Sequence, residues 1–368
     1  MKNAKGLALG VLVLLALILG TIGASKLFKK NMSTTTIYGA VGGGKENLLE
    51  DEEFLKILKK YKINVVNDSW SNGKLVVKDV VREDGSNYDF IFFSDQRFYD
   101  YYKTPASGEE AERYNVKKGS LTLNTPVVIY SWDEVTDVLI KENIVTEKDG
   151  VYYITDMEKL LNYILEGKTW KDIGLTSLYG KINIDSTDPV TSSPGATYYG
   201  LVASIMAGGT LTDENIGDIL PKLKEFYKKS GYMNNTPADL FQLYLKTGMG
   251  AKPMIVDYEK SIIDFANSSP EEYARVKDRI RILYPTPTIW NSHCIATLSD
   301  DGNTYYDVFE DSSVQKLAWS KYGFRTGVTG GNYNVSDVSV SGIPQSINST
   351  VSSLKMGYYN QMIEYLKN

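Results

Sequence analysis

The chain has 368 residues, enough for two domains of ordinary size, and its 42% hydrophobic and 23% charged residues describe a globular protein with ample core. Five of its 40 basic residues fall within residues 1–30, so the remainder carries 35 basic against 45 acidic side chains, a formal charge of −10. Such an acidic body excludes the basic face that nucleic acid requires. One cysteine, Cys294, and one histidine, His293, exclude an internal disulfide, a thiolate metal cluster and the ordinary zinc sites.

Lys2 and Lys5 precede an uncharged run from Gly6 to Ala24, and Lys26, Lys29 and Lys30 follow it. A run of this length lies between a signal-peptide core and a membrane-spanning helix. Residues 1–30 therefore read as an export signal, cleaved or retained as a membrane anchor, with residues 31–35 as a polar linker. No cysteine follows the run, which excludes a lipid anchor.

Thr36 to Tyr38 reads as a first strand entering Gly39-Ala-Val-Gly-Gly-Gly-Lys45. A helix follows, with Leu48, Leu49, Phe54, Leu55, Ile57 and Leu58 at helical spacing, and then a strand at Ile63–Val66. Strand, glycine turn, helix, strand is the order of a parallel α/β sheet, whose ligands sit at carboxyl strand ends. The glycine turn is not a P-loop, because Gly44-Lys45 lacks both the upstream spacing and a following hydroxyl residue. Further strands are expected at Tyr88–Phe93, Thr125–Tyr130, Val151–Ile154, Lys181–Ile184, Met254–Glu259, Ile280–Tyr284 and Thr288–Leu298. Helices are expected at Phe98–Tyr102, Asp133–Lys141, Met157–Leu165 behind an Asp156 cap, Leu201–Ala207, Glu214–Lys229, from Pro237 to Leu245, and Ser313–Tyr322. Residues 103–120 and 326–349 read as loops, and Val351–Leu366 as an amphipathic closing helix.

The stretch Ser186-Thr-Asp-Pro-Val-Thr-Ser-Ser-Pro-Gly-Ala-Thr-Tyr-Tyr-Gly200 is a hydroxyl-rich turn before a buried helix. Unpaired N–H groups and a partial positive charge at a helix start suit a small anion. An ordinary cap built on Ser193 fits the same residues. Four strands end in polar or glycine clusters, at 42–45, 94–96, 130–132 and 186–195, and a fifth ends at Tyr258-Glu259. In an α/β layout these ends converge on a crevice.

Catalysis finds little to work with. His293 and Cys294, adjacent on a strand, point to opposite faces and cannot form a nucleophile–base pair. No Gly-x-Ser-x-Gly elbow is present. Asp300-Asp301 and Glu109-Glu110 read as solvated charge.

Thr187-Asp-Pro189 with Ser192-Ser-Pro-Gly195, the strand Pro253-Met-Ile-Val-Asp-Tyr-Glu259, and Gln315-Lys-Leu-Ala318 before Tyr322-Gly-Phe-Arg325 together resemble the type II bacterial extracellular solute-binding proteins. These are the receptors of ABC importers, and the molybdate, sulfate and phosphate binders are the branch most resembled. The resemblance covers residues 36–325. It implies an α/β, two-lobed periplasmic-binding-protein type II fold: two α/β sandwich lobes joined by two crossing hinge strands, here preceded by an N-terminal hydrophobic helix. Lobe 1 would be residues 36–128 with a return segment 290–325, and lobe 2 residues 129–289. Thr125–Tyr130 and Thr288–Ala296 would be the crossings, and 326–368 a C-terminal extension.

By position, the resemblance places Gly43, Gly44, Lys45, Ser94 and Gln96 against the ligand from lobe 1. Thr187, Ser192, Ser193 and Gly195 would face it from lobe 2, with Tyr130, Ser131 and Tyr258 as the floor. It implies an exported monomer, without cofactor, metal or catalysis, that captures a small anionic ligand and delivers it to a membrane permease. A membrane-anchored sensor or adaptor using the same cleft is one alternative; a cell-surface serine hydrolase built on His293 is another.

Overall fold

The computed structural model describes residues 34–71, 81–103, 116–231, 233, 236–328 and 333–368. The N-terminal apolar run and the Glu109-Glu110 pair lie outside them. Among the described residues no helix is long and apolar enough to cross a membrane. The sheet is built from β1 (Thr35–Gly42), β2 (Ile63–Trp70), β3 (Phe90–Phe93), β4 (Lys118–Trp132), β5 (Val145–Lys148), β6 (Val151–Ile154), β7 (Met254–Tyr258), β8 (Ile280–Pro285) and β9 (Thr288–Thr297). Two-residue strands, β10 (Arg325–Thr326) and β11 (Thr350–Val351), lie at its margins.

The strand order β2-β1-β3-β9-β4-β8-β6-β5 hides a division within β4. Its first part, Lys118 to Pro126, pairs antiparallel with β9; its second part, Val127 to Trp132, pairs with β7 and β8. Pro126 stands at the handover. Proline has no N–H to give to a ladder, so it fits where one partner ends and the next begins. One strand thus serves two sheet regions, each with its own core.

In the first region β1 runs parallel to β2 and β3, and β9 closes antiparallel on β3. Alternate residues of β3 feed opposite faces: Phe90 and Phe92 pack with Phe54, Tyr305 and Phe309, while Ile91 and Phe93 pack with Phe98, Tyr99 and Tyr102. A sheet covered on both faces explains why Phe90–Phe93 reads as continuous apolar sequence rather than alternation. Each of these phenylalanines contributes roughly 1.5–3 kcal/mol by burial.

The second region wraps β5 to β8 with helices Asp133–Lys141, Met157–Glu166, Ser193–Met206, Ile216–Lys229, Pro237–Thr247 and Glu259–Ser268. Asp156 caps its helix as expected, accepting from the Lys159 N–H at 2.9 Å. The expected strand at Lys181–Ile184 reduces to two isolated bridges, Lys181 to Thr169 and, just beyond it, Asp185 to Ile255. Ile182 and Ile184 are nevertheless buried, so their alternation reports burial without a ladder. The buried helix begins at Ser193, eight residues before the expected Leu201. Glu259–Ser268 and Asp300–Glu310 are helices that the sequence reading does not contain; Asp300 and Asp301 form the first turn of the second behind a Ser299 cap.

The segment after Thr326 is not a free surface loop. Arg325 anchors it: the guanidinium donates to both oxygens of Glu259, at 2.6 and 2.7 Å, and to the Pro344 carbonyl and the Tyr333 hydroxyl, each at 2.7 Å. Further on, Thr350 and Val351 pair with β9, and Leu354 packs against Gly200. The closing helix, Met356–Lys367, buries Met362, Ile363 and Leu366 in the second core. Its Tyr359 reaches the other region, 4.3 Å over Arg97 and edge-on to Phe98.

Candidate functional site

The turn after β1 is shaped by Gly44, whose φ of +87° suits glycine; its N–H donates to the Glu46 carboxylate at 2.7 Å. Lys45 then folds back. Its ammonium is buried, donates to the Gly42 carbonyl at 2.5 Å and to the Ser94 hydroxyl at 3.1 Å, and lies 4.5 Å over the Phe92 ring. Ser94 in turn donates to the Gly43 carbonyl at 2.6 Å. Burial pushes the Lys45 ammonium down to about 7. Gly43, Gly44, Lys45 and Ser94 therefore meet in one network at the ends of β1 and β3, with the lysine charge turned inward. Gln96, half-buried, opens the helix Gln96–Lys103 beside them.

Across the molecule, Ser192 donates to the Thr187 hydroxyl at 3.0 Å rather than capping its own helix. Gly195 is required by packing, because a Cβ there would stand 2.3 Å from the Thr187 carbonyl oxygen. Ser193 stands half-buried at the first turn. Tyr130 and Ser131 are spent elsewhere. The Tyr130 hydroxyl donates to the Tyr258 carbonyl at 2.7 Å and accepts from the Ile262 N–H at 3.2 Å. Ser131 donates to the Pro253 carbonyl at 3.2 Å. Both are fully buried, so these side chains hold β4 to its neighbours.

The two groups face each other through residues that sequence reasoning did not single out. Asp95 and Arg97 form a buried ion pair at the end of β3, and Arg97 donates to the Thr197 hydroxyl at 3.2 Å. Thr197 sits one turn from Ser193 and donates to its carbonyl at 3.0 Å. Tyr359 covers Arg97 from the closing helix. Burial raises the Tyr258 phenol, with Asp95 and Asp257 adding to the shift. At the end of β7, Val127, Thr187, Pro194, Pro237, Val256, Asp257 and Tyr258 enclose a cavity of about 10 Å³, the size of one water. The legible signal was Asp257 itself, an acid inside the apolar run Met254–Val256.

His293 lies under the Gly44 turn, wedged edge-on between Phe92 and Phe324. Its Nε2 is paired with the Asn291 amide at 3.2 Å, and its Nδ1 is buried without a partner. Burial, with Lys45 and Lys260 adding, drops its basicity well below the usual imidazole range. An amide stands where a hydrolase would place its serine, and an imidazole whose basicity burial depresses this far is a poor proton acceptor.

No protein-family model matches the chain, and no curated protein does. Solved structures do. A protein described as an ABC transporter from Clostridium perfringens aligns over 90% of this chain and 98% of its own, at TM-score 0.55 and 15% identity. The substrate-binding protein of an ABC transporter from Agrobacterium tumefaciens aligns over 91% and 94%, at TM-score 0.54 and 14% identity. Apo FutA2 from Synechocystis PCC6803 aligns over 91% and 98%, at TM-score 0.56 and 11% identity. The chain has a periplasmic-binding-protein fold. At these identities the likeness speaks for architecture: a mixed α/β chain in the periplasmic-binding-protein arrangement, with the Agrobacterium neighbour described as a substrate-binding protein.

Proposed function

We propose that the chain is an exported, monomeric solute-binding protein. It closes two lobes, residues 36–128 with 290–325 and residues 129–289, over a small solute and presents it to a membrane importer. The observation that carries this reading is the division of β4 at Pro126, which leaves two sheet regions hinged on shared strands, with polar strand ends opposed through Asp95, Arg97 and Thr197. Hinge closure about such strands is a known way to sequester a ligand. Gly43, Gly44, Ser94 and Gln96 would meet the solute from one side, and Thr187, Ser192, Ser193 and Tyr258 from the other. Residues 1–30 would export or tether the protein.

The oxyanion branch draws less support. Lys45 directs its charge into the strand ends, and Arg97 is neutralised by Asp95, so neither offers an uncommitted cation to an anionic guest.

The test is a thermal-shift screen of the full chain against oxyanions, sugars, amino acids and amines. A true ligand at a hundredfold excess over Kd adds about 2.7 kcal/mol and raises Tm. Ser193→Ala should then weaken binding by ~1–3 kcal/mol with folding intact. Silence across all four classes would end the reading; unchanged affinity in Ser193→Ala would place the solute elsewhere.

A further inference from the structure

Resting on the solute-binding reading, we infer that the guest carries a primary ammonium group, and that Asp257 receives it. The Asp257 side chain is 94% buried, since its exposure is 6%. Its Oδ1 accepts from the Tyr258 N–H at 2.7 Å, and the Ser261 hydroxyl helps hold the charge. Oδ2 has no hydrogen-bond partner. An oxygen of this kind, withdrawn from water and unanswered, is costly to fold around unless something else requires it.

The surroundings say what it could require. Asp257 lines the water-sized cavity at the end of β7 together with Thr187 and Tyr258. A carboxylate, a hydroxyl and an aromatic ring are the three kinds of partner that recognise an alkylammonium: charge-assisted acceptor, neutral acceptor and π face. The volume of about 10 Å³ matches a single –NH3+ head, and the carboxylate would repel an oxyanion.

The rest of the site agrees. Glu259, two residues on, has its charge fully matched by Arg325, and Asp95 by Arg97. Of these three buried acids, Asp257 alone has an oxygen left over for a guest. The lysine nearest in sequence, Lys260, lies 5.0 Å over the Phe324 ring and reaches Asp257 only through the field of its charge.

Calorimetric titration of the full chain with methylamine, putrescine and spermidine, against sulfate, phosphate and glucose, tests this. At least one amine should bind, and Asp257→Asn, which preserves shape, should weaken it tenfold or more while leaving the Tm of the free protein unchanged or higher. Thr187→Val, a second variant that keeps the carboxylate, should weaken the same amine by a smaller factor. Wild-type amine affinity in Asp257→Asn overturns the assignment. So does binding of no amine. If sulfate, phosphate or glucose binds instead and Ser193→Ala weakens it, the ammonium assignment fails while the solute-binding reading stands. If nothing binds here or among the amino acids of the thermal-shift screen, both fall.

Discussion

Glu259 and Asp257 leave the same end of β7 and are both buried, yet they meet opposite company. Glu259, with no measurable exposure, receives two hydrogen bonds from Arg325 and a third from the Tyr284 hydroxyl at 2.7 Å. Asp257 keeps one oxygen unanswered. The first arrangement joins the helix Glu259–Ser268 to the segment after Thr326 and is a structural fastening. The second stands against a cavity. Burial of an acid is thus no guide to its role; what decides is whether its surroundings already balance it.

The widest gap between the two sites should open when the fastening is cut. Arg325→Ala leaves Glu259 charged and alone in the interior, which costs about 3–5 kcal/mol; urea unfolding would read it, and restoration by adding Glu259→Gln would tie the loss to the stranded charge. A fully stable Arg325→Ala protein would erase the contrast. Tyr284→Phe removes only the third partner, and should lower stability by about 1.5–3 kcal/mol, as for a hydrogen bond to a charged group.

Asp51 sharpens the comparison from the other direction. Burial opposes its ionisation, but Lys321, the Tyr322 hydroxyl at 2.7 Å, and the N–H groups of Glu53 and Phe54 outweigh it and hold the carboxyl at about 2. A depressed acid stabilises the fold above its unfolded value, and that stability is lost as pH falls from about 4 towards 2. Asp51→Asn should abolish this part of the acid limb and cost about 1.5 kcal/mol at neutral pH, because it removes the charge that Lys321 and Tyr322 bond. Asp257 should show the reverse sign. Burial raises it to about 6, so its contribution grows as pH falls from about 6 towards 4. Asp257→Asn should flatten that rise; a slope identical to wild type would mean that the carboxylate is better solvated than its position implies.

Where periodicity or a strand-end pattern was strong, the sequence was a sound guide. Phe90–Phe93, Asp133–Lys141, Met254–Tyr258 and Ser312–Tyr322 fall where their apolar spacing puts them. Failures came where burial and periodicity part company. Lys181–Ile184 alternates because Ile182 and Ile184 are buried, while its pairing is confined to the single bridge of Lys181 with Thr169. The helix Ser193–Met206 is buried on every side, so its start carries no amphipathic edge to read. Tyr130 and Ser131 were legible as polar ends of a strand, but only long-range packing reveals that Tyr258, Ile262 and Pro253 consume their hydroxyls. Lys45 looked like a ligand-facing cation for the same reason: no local pattern records that Ser94, forty-nine residues on, accepts a hydrogen bond from its ammonium.

The closing helix gives the C-terminus an unusual mechanical position. It is rooted in the second region through Met362, Ile363 and Leu366, and rests on the first through Tyr359 above Arg97. Any swing that parts Asp95 and Arg97 from Thr197 must either slide Arg97 out from under that ring or drag the last turns of the chain with it. Asn368, past the end of that helix, therefore rides on a lever that bridges the two sheet regions, and a fluorophore attached there would report any change in the gap between them as a change in its own surroundings.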